Sequence, residues 1–309
     1  MKFRCFPKGA TAEDMQKVSR PAAVAVGPRM SADGSYMERG AKASPNPLSD
    51  VDCDGEIDEE IARAFANGLK MDTPSAGGSP PSSPVSDPAA ASSADELAKR
   101  TVIILDWDDT LLTTTRLTSR FSVFGEGATK PLPASLTPQL HALEKDVIQL
   151  LESCIGRGRT VIVTNAAEGW VQQSGRRFVP RVIEVIAKHN ISVVSAQAAY
   201  KHTCPSGDPA DWKKKAFMRE VKLAAALLHL EPGAHPGERI NLVSIGDSIF
   251  EREAAHFVSS KSKNVEATKT VKFIDSPTIA QLRRQLVTAT EKLPMICDVV
   301  KSFDVDMEV

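Results

Sequence analysis

"TVIILDWDDTLL" occupies Thr101–Leu112. A run of apolar and β-branched residues stops at three carboxylates, Asp106, Asp108 and Asp109. Such a run suits a strand buried on both faces, as parallel sheets have. Acids packed this closely repel one another, so their placement at a strand end points to a nearby positive charge.

Similar runs recur along the chain at "TVIVTN" (160–165), "ISVVSA" (191–196), "INLVSIGD" (240–247) and "TVKFID" (270–275). Helical patterns alternate with them. The first is "TPQLHALEKDVIQLLESCIGRG", with Thr137 as N-cap, Pro138 at N1, a stripe through Leu140, Leu143, Val147 and Leu151, and a stop at Gly156 and Gly158. Others are predicted near 168–189, 209–230, 249–260 and 277–291. Alternation of this kind predicts an α/β fold, a three-layer Rossmann-like sandwich around a mainly parallel five-stranded sheet. Its ligand belongs at the carboxyl ends of the strands.

Those ends carry chemistry. The first strand leads into Asp106, Asp108 and Thr110, the second into Thr164 and Asn165, and the fourth into Gly246, Asp247 and Ser248, with Glu251 one turn on. "DPADWKKKAF" opens a helix with Lys213, Lys214 and Lys215. Taken singly, each has a plain reading: Thr164 as a strand residue, the lysines as a solvated helix face, Trp107 and Trp212 as packing. Together they make a set of acids, a hydroxyl and a cation at one sheet edge.

In order and spacing these segments resemble the four motifs of the haloacid dehalogenase-like superfamily, whose members are mostly phosphatases. "DWDDT" matches the first motif, "VIVTN" the second, a lysine of "WKKKAF" the third and "GDSIFE" the fourth. The fuller strings "TNAAEGWVQQS" and "SIGDSIFERE" also look like a eukaryotic branch of that superfamily. The resemblance covers residues 101–275 and leaves out the N-terminal region. It implies Mg²⁺ held by Asp106, Asp247 and the backbone carbonyl of Asp108, with Glu251, longer than the usual Asp, reaching the metal through water. Asp106 is then the nucleophile that takes up the phosphoryl group, and Asp108 the general acid and base. Thr164 and a lysine hold phosphoryl oxygens, with Lys213 the first choice and Lys214 the second. Thr110, Asn165 and Ser248 are placed beside the substrate. Asp108 also separates phosphatases and mutases from dehalogenases, which lack an acid there, and from P-type ATPases, which carry Thr. Asp109 is expected to point away and cap the following turn.

Large members of the superfamily cover the site with a cap. Here residues 112–136 suit a β-hairpin flap and 197–208 only a loop. An uncapped site accepts a bulky phosphorylated substrate such as a phosphoprotein, although small metabolites remain open. Two further readings stand beside the phosphatase: a non-catalytic scaffold on the same fold, and phosphotransfer to a small metabolite, which would want a cap.

The chain has 309 residues and a formal net charge of −1, which gives no default pull toward nucleic acid or an anionic membrane. No run is long enough to span a bilayer, and no apolar segment follows the basic start. Its 5 cysteines form no CxxC or Cys/His cluster, which fits a reducing, cytoplasmic setting better than a disulfide framework. Residues 1–98 read as a largely disordered tail and 99–309 as the catalytic domain. Ser75–Glu96 is rich in Ser, Pro and Ala and includes Ser79-Pro80 and Ser83-Pro84, sites for a proline-directed kinase if more than a spacer. "DVDCDGEIDEEI" (50–61) starts like an EF-hand loop, with Asp50, Asp52, Asp54 and Gly55, but puts Ile61 where the bidentate Glu belongs. A short amphipathic helix near 58–71, through Ile61, Phe65 and Leu69, is a docking segment for the main domain or a protein partner.

Overall fold

Buried β-branched runs form the centre of a parallel sheet. The computed structural model describes residues 2–5, 95–204, 206–230 and 234–308, all in one compact unit. The EF-hand-like loop, the Ser-Pro sites and the helix near 58–71 lie outside the described residues.

In chain order the strands are β1 (Lys2–Cys5), β2 (Thr101–Leu105), β3 (Arg159–Thr164), β4 (Ser192–Ser195), β5 (Ile240–Gly246), β6 (Val265–Lys272) and β7 (Phe303–Asp306). The helices are α1 (Thr114–Thr118), α2 (Thr137–Ile155), α3 (Trp170–Phe178), α4 (Pro180–Lys188), α5 (Ala196–Tyr200), α6 (Pro209–Leu227), α7 (Ile249–Lys261) and α8 (Ile279–Asp298). The sheet runs β1-β7-β6-β5-β2-β3-β4. All neighbours are parallel except β1, which lies antiparallel on β7. Helices α6 and α7 pack together on one face and α2 and α8 on the other, giving the expected three layers. The core on the first face joins Val102, Ile104, Val161, Val163 and Leu242 to Trp212, Phe217 and Val221 of α6.

From β2 the chain steps outward through β3 to β4, then returns to β5 on the other side of β2. The connections leaving β2 and β5 at the carboxyl ends therefore diverge. Sheets of this type bind ligands at such a switch point.

Several expectations are corrected. Among the described residues the sheet has seven strands where five were predicted. "FDVD" (Phe303–Asp306) is short and acidic, and its buried Asp304 is made tolerable by Thr270 Oγ1, which donates to it at 2.6 Å, His256 Nε2 at 3.0 Å and the Arg252 guanidinium at 3.6 Å. The strand placed at 270–275 is Val265–Lys272, disguised by Glu266, Thr268 and Lys269 within it. Residues 112–136 do not form a β-hairpin flap. They fold as α1 and a 3-10 turn, Gly125–Thr129, with Leu117 buried; Pro131 and Pro133 have no N–H for a ladder. The loop at 197–208 begins as α5, capped by Ser195, whose hydroxyl accepts from Ala198 N–H at 3.0 Å. Thr137 is the first residue of α2 rather than its N-cap, which is Leu136. The stretch near 168–189 is two helices, because Pro180 restarts the chain after Val179 leaves helical geometry. No helix among the described residues is long and apolar enough to cross a membrane.

A buried polar knot closes the opposite end of the sheet. Lys269, with no solvent exposure, donates to Asn241 Oδ1. Asn241 Nδ2 donates to Thr101 Oγ1 at 3.1 Å and to the Cys297 carbonyl at 2.9 Å. Burial pushes the lysine down to about 7. In the unfolded chain a lysine holds its proton to about 10.4. Between those values the unfolded chain binds more protons, so stability rises with pH. Burial raises the Cys154 and Cys297 thiols, which act in the opposite sense once unfolded thiols ionise near about 8.5. The free energy of urea unfolding should therefore climb from about pH 7 to about pH 8.5 in the wild type and climb less in Lys269→Met. Equal slopes would contradict a proton-poor lysine at this site.

Candidate active site

The end of β2 sets the first carboxylate. Asp106 N–H still donates to Ile245 C=O at 2.9 Å, so its backbone remains within the sheet. The chain then turns sharply, with Leu111 and Leu112 N–H both donating to Trp107 C=O, at 2.9 and 3.1 Å. Asp109 takes the left-handed conformation that this turn requires, with φ +54°. Its Oδ1 accepts from Thr115 N–H at 3.1 Å, the capping role expected of it. Burial raises its pKa.

Asp106 is 5% exposed, and Lys213, 2% exposed, reaches it from α6 with Nζ at 2.6 Å from Oδ1. Helix α6 begins at Pro209 under Asp208, which accepts from Ala210 N–H at 2.9 Å. That start sets Lys213 one turn in, beside the core residues Trp212, Ala216 and Phe217. Lys213 also donates to Glu251 Oε1. Burial pushes the Asp106 carboxyl upward; Lys213 opposes the shift and Asp108 adds to it. Thr110 Oγ1 lies farther, 3.4 Å from Asp106 Oδ2. The neighbouring lysines are engaged elsewhere. Lys214 Nζ is 3.3 Å from Asp211 Oδ1, and Lys215 donates to Thr203 C=O at 2.8 Å. Of the three lysines, Lys213 is the one that meets the carboxylates.

Glu251 belongs to a capping box at the start of α7. Ser248 N–H and Oγ donate to its Oε2 at 3.0 and 2.6 Å, and Phe250 N–H donates to Ser248 Oγ at 3.1 Å. This arrangement depends on Gly246, where an added Cβ would lie 2.3 Å from Glu251 Cγ. Both Glu251 oxygens thus have partners, one Lys213 and the other Ser248. Ser248, expected beside the substrate, is the helix cap. Asp247 faces the cluster. Burial pushes its carboxyl up to about 7, the charges of Asp106 and Asp109 add to the shift, and Lys213 opposes it.

Thr164 ends β3. Its hydroxyl donates to Asp108 Oδ2 at 3.0 Å and accepts from Ala166 N–H at 2.9 Å. Asn165 Nδ2 donates to Pro209 C=O at 3.2 Å, while its Oδ1 is buried without a hydrogen-bond partner. One participant was missed in the sequence. Trp170, at the start of α3, donates from its indole to Asp108 Oδ1 at 2.7 Å. The available signal was "EGW", an indole donor one short loop past the second-motif strand.

Asp106, Asp108, Asp109 and Asp247 thus supply hard oxygen atoms, against a lysine already shared with Glu251. Among the described residues no three His, Cys, Asp or Glu side chains gather closely enough to hold a metal by themselves. A magnesium ion asks for less, one or two carboxylates completed by water and substrate oxygens. Asp106 and Asp247, carboxylates close enough to feel each other's charge, are oxygen donors of that kind. No protein-family model, curated protein or solved structure matches the chain.

Removing the central cation tests this arrangement. Lys213→Met, measured in chelator, should lower the free energy of urea unfolding by about 3–5 kcal/mol, the effect of leaving buried carboxylates unpaired. Lys214→Met and Lys215→Met should stay within about 0.5 kcal/mol of wild type. Three equal effects would contradict the special position of Lys213.

Proposed function

We propose that the chain is a Mg²⁺-dependent phosphatase of the haloacid dehalogenase-like type, which hydrolyses a phosphate monoester through an aspartyl-phosphate on Asp106. One observation carries the reading. A buried carboxylate paired with a buried lysine stands two residues before a second carboxylate whose oxygens are held by Thr164 and Trp170. A structural ion pair has no use for the second acid.

Magnesium, held by Asp106, Asp247 and the Asp108 carbonyl, would supply the positive charge that offsets repulsion between carboxylate and phosphate ester. A carboxylate oxygen of Asp106 attacks phosphorus, and the bond from phosphorus to the leaving oxygen breaks. Asp108 gives that oxygen its proton, so the alcohol departs neutral. Water then attacks the phosphoryl-aspartate. Asp108 takes the proton from the water, the bond between phosphorus and Asp106 breaks, and inorganic phosphate leaves. Lys213 keeps Asp106 aimed, and Thr164 is placed to turn its hydroxyl toward a phosphoryl oxygen. The short helix and turns at 112–136 make no globular lid, which favours a bulky substrate such as a phosphoprotein over an enclosed metabolite.

Purified protein should hydrolyse p-nitrophenyl phosphate with Mg²⁺ and lose the activity in chelator. Asp106→Asn should fall to background, and rapid acid quench of the wild type should trap phosphate on Asp106. Equal rates for wild type and Asp106→Asn would refute the nucleophile, and a full panel of phosphate esters without turnover would favour a binding protein.

A further inference from the structure

We propose that Trp170 is the positioning residue for Asp108, holding the proton-carrying carboxylate in place while Thr164 serves the substrate. The inference rests on the phosphatase reading. Asp108 is gripped at both oxygens, by Thr164 Oγ1 at 3.0 Å and by Trp170 Nε1 at 2.7 Å. The two donors are not equivalent. A threonine hydroxyl rotates and both donates and accepts, so it can leave Asp108 for a phosphoryl oxygen. An indole N–H only donates, and its direction is fixed by the ring. When Thr164 turns away, Trp170 is the grip that stays. An ionised carboxylate has about four lone-pair positions, so the indole bond still leaves a position for the travelling proton.

Trp170 is itself held by a closed circuit. Gly169, at φ +79°, turns the chain into α3. Trp170 C=O accepts from Ser174 Oγ at 2.7 Å, and Ser174 Oγ accepts from Trp107 Nε1 at 3.0 Å. Trp107 is fully buried and directly precedes Asp108 in the chain. The path from Asp108 through Trp107, Ser174 and Trp170 thus returns to Asp108 and ties the end of β2 to α3. Outside the circuit, the Phe124 ring lies 5.9 Å from the Trp170 ring, tilted by 33°. Thr164 and Trp170 also line a cleft of about 240 Å³ with Gly169, Val193 and Ser195.

A misplaced acid hurts poor leaving groups most, because an activated phenolate departs without a proton and an alkoxide does not. In the full chain with Mg²⁺, Trp170→Phe should cut kcat/KM for an alkyl phosphate by about 10²-fold or more, yet change that for 2,4-dinitrophenyl phosphate by less than about 3-fold. Ser174→Ala should show the same pattern with a smaller loss. Far-UV circular dichroism confirms that each variant is folded. A uniform loss across leaving groups would mark a structural defect and overturn the proposal. A second readout needs no turnover. In ¹⁵N-labelled protein the Trp170 indole N–H resonance, assigned by its disappearance in Trp170→Phe, should shift and exchange faster with water in Asp108→Ala. An unchanged resonance would overturn the proposal whatever the kinetics. Wild-type protein that hydrolyses no ester while this resonance responds would overturn the hydrolase reading, and with it the catalytic purpose of the grip, but not the Trp170–Asp108 bond.

Discussion

The ammonium of Lys213, shared between Asp106 and Glu251, is the interaction on which the site depends. Charges this deep are expensive unless paired and hydrogen-bonded. The pairing ties three elements that are far apart in sequence, the end of β2, the first turn of α6 and the first turn of α7. It also places demands on smaller features. Gly246 must lack a side chain so that Glu251 can fold back, and Ser248 must cap α7 so that the second Glu251 oxygen is satisfied. Asp208 and Pro209 must start α6 at the right residue to bring Lys213, rather than Lys214, to the acids.

The parallel sheet makes that convergence possible. Because β2 lies between β3 and β5, the residues after all three strands emerge at one edge. Asp106, Thr164 and Asp247 then meet with no long loop. The excess of acid at this edge is an energetic debt of the apolar strands that deliver it: burial is the first cause of the upward shifts of Asp106, Asp109 and Asp247. One ammonium shared with Glu251 leaves the cluster rich in negative charge. That imbalance, visible as acids after an apolar run in the sequence, is the physical ground for reading the edge as a place for a cation and a phosphate.

Legibility in the sequence followed the locality of the signal. Strands β2, β3, β4 and β5 were legible to within a residue or two, because unbroken apolar runs need no partner to be recognised. Strand β6 was placed several residues late, since Lys269 and Thr270 are polar residues made tolerable by Asn241, Arg252 and Asp304 from other elements. The same holds for β7, whose Asp304 depends on Thr270, His256 and Arg252. Residues 2–5 join the sheet through backbone pairing with β7, for which their composition carries no mark. At the site, the positions of Asp106, Thr164 and Lys213 followed from motif spacing. The roles of Glu251 and Trp170 did not, because each is set by a partner, Lys213 for one and Asp108 for the other.

Three aspartates in four residues show how surroundings divide one chemistry. Asp106 is buried and faces an ammonium, so it is fixed and aimed. Asp109 is turned by a left-handed backbone toward Thr115 N–H, where it stabilises the loop. Asp108, half-buried between them, meets no ammonium within ion-pair distance among the described residues, only a hydroxyl and an indole. Neutral donors orient a carboxylate without locking it into the ionised form as an ammonium does. On the proposed phosphatase reading Asp108 gains and loses a proton within one turnover, which calls for that kind of hold. The indole is therefore better suited to Asp108 than a second lysine would be, which is a reason for a tryptophan to stand at position 170.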